Sequence, residues 1–399
     1  MLQVSEALAR VLANAVPVET EIVCLLDADG RVLAKALTAR RSQPPFNVSA
    51  MDGFAVVRND VLSPPVVLNV IGVSAAGHGY HQPLAPGDAV RIFTGAPLPP
   101  NADAIVIQEN TRSVGQQVEV LEGLPNPGHV RAAGMDFRTG ETLLAAGRRL
   151  TARDVSLAAA MGYASLEVRR RPRVDIIATG DEIVLPGDPI GVDQIVCSNP
   201  FGVAGIVQRA GGSPYFRGIA PDEHSALAEM CKCAIGADLL ITIGGASVGD
   251  HDIVAPVLKS MGMTLDFWKI AMRPGKPLMC GQIGSTLVIG LPGNPVSSLI
   301  CSHVFIRPLI HALLNVSPGE PDLEMATAAV ALDPNGSRQH YMRAIATRTG
   351  EGEVLVTPVA SQDSSLLRAL AASNALIVRP PNAPPVTKGS QVPITRIDF

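Results

Sequence analysis

The chain has 399 residues with 32 Lys+Arg against 36 Asp+Glu, a formal net charge of −4, so no global basic field recruits nucleic acid or an anionic membrane. At about 150 residues per domain, that length holds two to three domains, each able to bury a core. A hydrophobic content of 47% excludes a disordered chain, and the 14 aromatics (one Trp, four Tyr, nine Phe) are few stacking platforms for single strands. With 37 Gly and 33 Pro, the composition points away from a helical bundle and toward a loop-rich, mixed β protein.

Glu6 and Arg10 interrupt the apolar residues between Met1 and Pro17, so no secretory signal is expected there. Val4, Leu8, Val11, Leu12 and Ala15 share one stripe, which predicts an amphipathic helix over residues 4–15. From about 21 to 137 short apolar runs alternate with Pro/Gly turns: Gly53–Val57, Val66–Val73, Ala89–Phe93, Ala104–Ile107 and Val118–Leu121. That texture predicts strands. Thr151-Ala-Arg-Asp154 has the form of a capping box and predicts a helix ending near Gly162.

Beyond Arg173 apolar strands alternate with helical patterns. Val174–Ala178, Ala237–Ile243 and Thr286–Ile289 read as strands; helices are expected up to Ala210, from near Asp222, and from Val296 to Leu314. Such alternation predicts a parallel sheet with right-handed crossovers. The C-terminal runs Ala326–Ala331, Val354–Val359 and Ala375–Val378 predict a small β-barrel, and Pro380–Pro385 a loop. Between Lys276 and Arg307 there is no charged residue, but Gly281, Gln282, Gly284, the Pro292–Pro295 turn and Ser297-Ser298 would strand backbone polar groups in lipid. Buried strand, loop and helix is the reading. The six cysteines (24, 197, 231, 233, 280 and 301) show no CxxC and no zinc spacing, as expected of reduced, buried thiols in a cytoplasmic protein.

Each predicted strand of the α/β region ends in a Gly-rich turn with polar cargo: Thr179-Gly180-Asp181-Glu182, then Gly244-Gly245-Ala246-Ser247-Val248-Gly249-Asp250-His251-Asp252, then Gly290-Leu291-Pro292-Gly293-Asn294-Pro295. Ligands of open α/β sheets bind outside the carboxyl ends of the strands, so the three turns should share one crevice. Glycines let backbone N–H groups approach phosphate, and helix N-termini add positive potential. Neither GxGxxG nor GxxxxGK[ST] occurs, so no standard dinucleotide fold or P-loop is indicated. Lys269, Arg273 and Lys276 lie within eight residues, stiffened by prolines, and suit an oxyanion or phosphate. Glu182, Asp222 and Asp252 are hard oxygen donors suited to Mg²⁺ on a phosphate. Taken singly, TGDE is an ordinary turn, GGASVG a tight strand exit, PGKP a rigid surface turn and His251 a solvated loop histidine. Their order along one sheet edge gives them joint weight and points to phosphoryl or phosphoanhydride chemistry. The β region adds Pro44–Phe54 with Asp52, Arg91–Pro97 with Thr94, and a polar loop with Arg131, Gly134 and Asp136. Asp52 alone could merely cap a turn.

Together these segments resemble the molybdopterin molybdenumtransferase family, MoeA in bacteria and the gephyrin and plant E-domains. The matching pieces are PPFNVSAMDGFAV (44–56), RIFTGAPLPPNADAIV (91–106), RAAGMDFRTGE (131–141), RPRVDIIATGDEIVLPG (171–187), the Asp222 turn, ADLLITIGGASVGDHD (237–252), FWKIAMRPGKP (267–277), GLPGNPVS (290–297) and a weaker stretch at 338–378. The resemblance implies an α/β and β multidomain fold. A MogA-like, parallel-sheet pterin-binding domain would combine residues 1–20 and 168–313, and an elongated linker domain 21–41 and 138–167. A β domain would span 42–137 and a C-terminal β-barrel 314–399.

It also implies a reaction: adenylylated molybdopterin binds, molybdate joins it, and Mg²⁺-dependent cleavage of the phosphoanhydride releases AMP as molybdenum enters the dithiolene. By resemblance Asp52, Thr94, Glu182, Asp222 and Asp252 are catalytic, and Glu182, Asp222 and Asp252 hold the metal. Thr179, Gly180, Asp181, Gly244, Gly245, Ser247, Gly249, Pro292, Gly293, Asn294 and Pro295 bind the pterin and its phosphate. Lys269, Arg273, Lys276 and Ser297 bind molybdate and phosphate oxygens, and Arg338, Arg343 and Ser364 are further candidates. The implied assembly is a homodimer in which Asp52 and Thr94 face the partner's pterin domain. A molybdopterin adenylyltransferase and molybdoenzyme chaperones are its implied partners, with neither nucleic acid nor membrane.

The chain departs from the family pattern at Asn47 and Val48 in the first motif, at Ile243 before the Gly pair and at Cys197 before Ser-Asn, and has Arg at 273 where Lys is common. Two other readings stand beside the transferase. The adenylyltransferase would need only the α/β part, and a catalytically weak paralogue would bind, deliver or scaffold the cofactor. Residues 21–167 and 314–399 argue against the first, and the retained acids against the second.

Overall fold

Six strands form the sheet of the α/β part, in the order Ser213–Ala220, Arg173–Thr179, Leu239–Ile243, Thr286–Leu291, Met279–Ile283, Thr264–Trp268. The computed structural model describes residues 1–122, 125–245, 253–317 and 323–399. The first four strands are parallel, whereas Met279–Ile283 runs antiparallel to both of its neighbours, Thr286–Leu291 and the edge strand Thr264–Trp268. The sheet is therefore mixed rather than wholly parallel. The physical reason is connection length: only Gly284 and Ser285 separate Ile283 from Thr286, which permits a hairpin and no crossover.

Alternate residues of the parallel strands feed two apolar cores. Val174, Ile176, Leu239, Ile241, Ile289 and Leu291 face one core, closed by Val4–Ala13, Asn199–Ala210 and the helix after Pro295. Ile177, Leu240 and Val288 face the other, closed by His224–Ala234 and Val254–Ser260. Burial on both faces explains why these strands are mostly apolar; the buried exception Asp175 is paired with Arg173 and Arg217. Pro295–Leu313 is, among the described residues, the one helix long and apolar enough to cross a membrane, and 72% of that window is buried in the protein. It acts as a core helix. Ser302–Ile306 winds as a π-helix there, because Pro308 has no N–H for the Val304 carbonyl.

Thr20–Cys24 pairs antiparallel with Ser165–Arg169, and Leu37–Thr38 with Thr142–Leu144, so two distant stretches of chain share one small core. The helix Ala152–Ala160 starts as its sequence predicts: the Thr151 N–H and hydroxyl donate to Asp154 Oδ2 at 2.9 and 2.8 Å. The intervening β region is a second six-stranded sheet, ordered Ala104–Ile107, Gly53–Val56, Asp88–Ile92, Val66–Ser74, Gln117–Val120, Thr111–Val114.

The C-terminal strands close as a five-stranded barrel: Gln339–Arg348, Val354–Pro358, Leu323–Ala328, Gln391–Arg396 and Ala375–Arg379, which returns to the first. Met272–Arg273 adds to it in parallel beside Gln339–His340, which brings the cationic segment to the barrel. All six cysteines are free; Cys197, Cys231, Cys280 and Cys301 are buried, but Cys24 and Cys233 are exposed, contrary to the expectation for those two.

Candidate active site

The carboxyl ends of the parallel strands open into a crevice of about 800 Å³. Thr179, Gly180, Glu182, Asp222, Gly244, Gly245 and Pro292–Pro295 all line it. Thus all three turns do share one space, because parallel strands end on the same side of the sheet. Two helix N-termini also reach it, Asn199-Pro200 and Pro295, each adding partial positive charge suited to an anion.

Close backbone approach explains the glycines. Gly244 has φ +95°, and a Cβ there would lie 2.7 Å from the Thr179 carbonyl oxygen. At Gly180, φ +139°, a Cβ would collide with the Glu182 carboxylate, so only glycine lets that acid fold back over the turn. Glu182 and Asp222 are exposed at the crevice wall. Asp181 does not line it; its Oδ1 accepts the Asp222 N–H at 3.1 Å and so ties the first two acidic turns together. Thr179 is 4% exposed, and its hydroxyl has no hydrogen-bond partner among the described residues. A buried orphan hydroxyl beside two glycines is a cradle in want of a ligand atom. Burial and the nearby Glu182 push the Cys197 thiol above its ordinary pKa, so this crevice residue is a neutral thiol.

The cationic segment borders the crevice through Pro277. Its loop is pinned by Lys269 N–H to the Leu278 carbonyl at 3.2 Å and Ile270 N–H to the Lys276 carbonyl at 3.0 Å. Lys269 is half-buried, Arg273 and Lys276 are exposed, and none of the three lines the crevice itself. Ser297 is buried, 4% exposed, in the first turn of the Pro295 helix. Ser247, Gly249 and Asp252 lie outside the described residues.

Asp52 and Thr94 meet each other in the β region, away from the crevice lining. Asp52 Oδ1 accepts both the Thr94 N–H at 2.8 Å and its hydroxyl at 2.9 Å. The Thr94 amide, then its hydroxyl, hold the Asp52 carboxyl below the usual carboxylate range.

The fourth wall comes from the barrel. Ser365 and Leu367 line the crevice, Ser364 accepts the Val296 N–H through its carbonyl at 3.1 Å, and Arg343, 1% exposed, donates to the carbonyls of Ser361, Asp363 and Leu366. Arg343 is therefore buried behind that loop. Sequence reasoning missed Ser365 and Leu367, and also the apolar side formed by Ile183, Ile195 and Val196. The Ser-Asn-Pro at 198–200 did carry a signal: a helix start with proline in the first turn.

Family models match the chain end to end: "MoeA N-terminal region (domain I and II)" over residues 2–162, "Probable molybdopterin binding domain" over 175–312 and "MoeA C-terminal region (domain IV)" over 325–397. Among relatives named molybdopterin molybdenumtransferase, that of Nostoc is 38% identical over 84% of this chain and 80% of its own length. That of Haemophilus influenzae is 33% identical over 99% of this chain and 98% of its own. The crystal structure of the molybdopterin biosynthesis MoeA protein from Pyrococcus horikoshii superposes with a TM-score of 0.86 at 28% identity, covering 100% of both chains. With its crevice, its flanking β regions and its C-terminal barrel, the chain belongs to the molybdopterin molybdenumtransferase family, transferases of molybdenum cofactor biosynthesis.

Proposed function

We propose that this crevice binds adenylylated molybdopterin and molybdate and cleaves the phosphoanhydride, releasing AMP as molybdenum enters the dithiolene. The observation that carries the reading is the convergence of Glu182 and Asp222 with two glycine-lined turns and two helix N-termini in one space. Backbone N–H groups of Gly245, Gly293 and Asn294, with the Thr179 hydroxyl, hold phosphate oxygens. Lys269, Arg273, Lys276 and Ser297 serve molybdate and phosphate at the crevice border.

The donor set fits Mg²⁺. Among the described residues no group of three His, Cys, Asp or Glu side chains gathers as a metal site. Mg²⁺, however, is commonly held by one or two carboxylates together with substrate phosphates and water, and Glu182 and Asp222 supply two hard oxygen donors. Asp252 is the third residue proposed to hold it. When bound, the ion neutralises charge on the phosphoanhydride. Glu182 and Asp222 orient the water that attacks phosphorus as the bond to AMP breaks.

The proposed assembly is a cytoplasmic homodimer in which Asp52 and Thr94 complete the partner subunit's crevice, and the four-domain division above is part of the same reading. It receives its substrate from an adenylyltransferase and passes product to molybdoenzyme chaperones. The test is AMP release from adenylylated molybdopterin and Mg²⁺, with and without molybdate. Molybdate-stimulated AMP release with metal-loaded pterin is the expected result. Tight pterin binding without AMP would turn the reading to delivery or scaffolding.

A further inference from the structure

Asp52 precedes a strand whose first residue, Gly53, lies so close to the Val106 carbonyl that a Cβ would collide with it. Around this peptide the Arg91 side chain and the backbone N–H and side chain of Gln108 form a closed brace. The Gln108 N–H donates to the Asp52 carbonyl at 3.1 Å. Arg91 Nη1 donates to the Gly53 carbonyl at 3.2 Å, and its Nη2 to Gln108 Oε1 at 2.7 Å. The guanidinium is held between two rings, 5.1 Å from the Phe54 centroid and 5.0 Å from that of Phe93. Arg91 makes no salt bridge among the described residues; its direct contacts are these rings and oxygens, and its charge also favours the ionised Asp52 carboxyl. One strand end later, Thr94 fixes Asp52 Oδ1 from the other side.

We propose that Arg91 and Gln108 are positioning residues for Asp52: they fix the peptide that follows the acid so that its second carboxylate oxygen is presented in one direction. The inference rests on the catalytic role proposed for Asp52. A rigid fork satisfies two acceptors at once, which an ammonium on a flexible stem does not reproduce. Misplacement of about 1 Å costs up to about 10²-fold in rate.

Arg91→Lys and Gln108→Ala are each expected to lower kcat about tenfold, with KM and melting temperature little changed. Neither should add to the loss caused by Asp52→Asn, because all three act through one carboxylate. Losses that multiply with Asp52→Asn, or a rise in KM at constant kcat, would overturn the proposal. Amide exchange at Thr94 gives a readout independent of turnover. If the brace holds Asp52, Gln108→Ala and Arg91→Lys expose the Thr94 N–H and speed its exchange about tenfold; unchanged exchange would overturn the brace. Should Arg91→Lys fail to fold, Gln108→Ala, which keeps the N–H on the Asp52 carbonyl and frees the Arg91 fork from its exposed partner, decides whether that fork positions the acid. A wild-type protein that releases no AMP would refute the functional reading, and Thr94 exchange would still judge the brace.

Discussion

Asn294 Nδ2 donates to Ser364 Oγ at 3.1 Å, joining the Pro-Gly-Asn-Pro turn of the α/β part to a loop of the C-terminal barrel. The bond sits at the rim of the crevice, so the shape of the site depends on how the barrel docks. Ser364→Ala removes the bond and leaves its carbonyl on the Val296 N–H. A net loss of about 0.5–1.5 kcal/mol is expected, up to about a tenfold weaker Kd for adenylylated molybdopterin, with thermal stability nearly unchanged. Titration of binding for the two proteins checks it.

If Asp52 of one subunit serves the crevice of the other, two dead variants should rescue each other. Glu182→Gln and Asp52→Asn, each isosteric, the first exposed and the second half-buried, are expected to lose at least about 10²-fold in AMP release while staying folded. Co-expressed and purified as mixed dimers, they would place both lesions in one crevice of the heterodimer and leave the other intact. Recovery toward half of the wild-type rate per heterodimer is the expected outcome. No recovery above the separate variants would put Asp52 and Glu182 in the same subunit's site, or Asp52 outside catalysis.

Gly275 occupies φ +105°, and a Cβ there would run into the Cys301 sulfur, whose side chain is fully buried. Gly275→Ala therefore meets both backbone strain and a core collision, for an expected cost of about 2–4 kcal/mol. Because the residue lies between Arg273 and Lys276, the response to molybdate should weaken as well. Cys301→Ala in the same chain relieves the collision but not the strain, so partial recovery of the urea midpoint is expected.

His340 is buried against the cationic segment, and burial first, then Arg273, Arg338, Arg343 and Arg379, push its pKa down to about 4 from 6.5. The unfolded chain takes up this proton near 6.5 and the folded chain only near 4. Its contribution to stability is thus fully present above 6.5 and is lost as pH falls through that window, levelling below 4. The amount is on the order of 1–3 kcal/mol. Stability curves for wild type and His340→Gln between those limits should diverge by that amount; parallel curves would refute it.

Much of the fold was legible because its central strands are buried on both faces. Ile176-Ile177 and Leu239-Leu240-Ile241 divide their side chains between two cores, and that demand leaves an unbroken apolar run. Ser213–Ala220 left no such trace. It is an edge strand carrying Pro214 and Gly218, residues tolerated where one side lacks a neighbour. The hairpin partner Met279–Ile283, with Gly281 and Gln282, was lost for a related reason, since its Gly281 abuts the Thr264 carbonyl rather than filling a core. At the site, turns announce themselves through Gly and Pro, so Gly244 and Pro292–Pro295 could be found. Ser365 could not, because it reaches the crevice only through the docking of a barrel folded elsewhere in the chain.

The helix Val4–Ala13 has its place against Arg307–Leu313, with the Val18 N–H on the Leu313 carbonyl at 2.8 Å and the Leu2 carbonyl accepting from Ala271 at 2.7 Å. A growing chain makes this helix first and its receptor some three hundred residues later. At about 5–20 residues per second, the ribosome leaves it waiting on the order of 15–60 s. Throughout that interval Val4, Ala7 and Val11, all buried in the finished protein, are a greasy stripe with nowhere to go. The nascent chain therefore offers a holdase a defined early target, and polar replacement of Val4 or Val11 would relieve that exposure during synthesis while weakening the completed molecule.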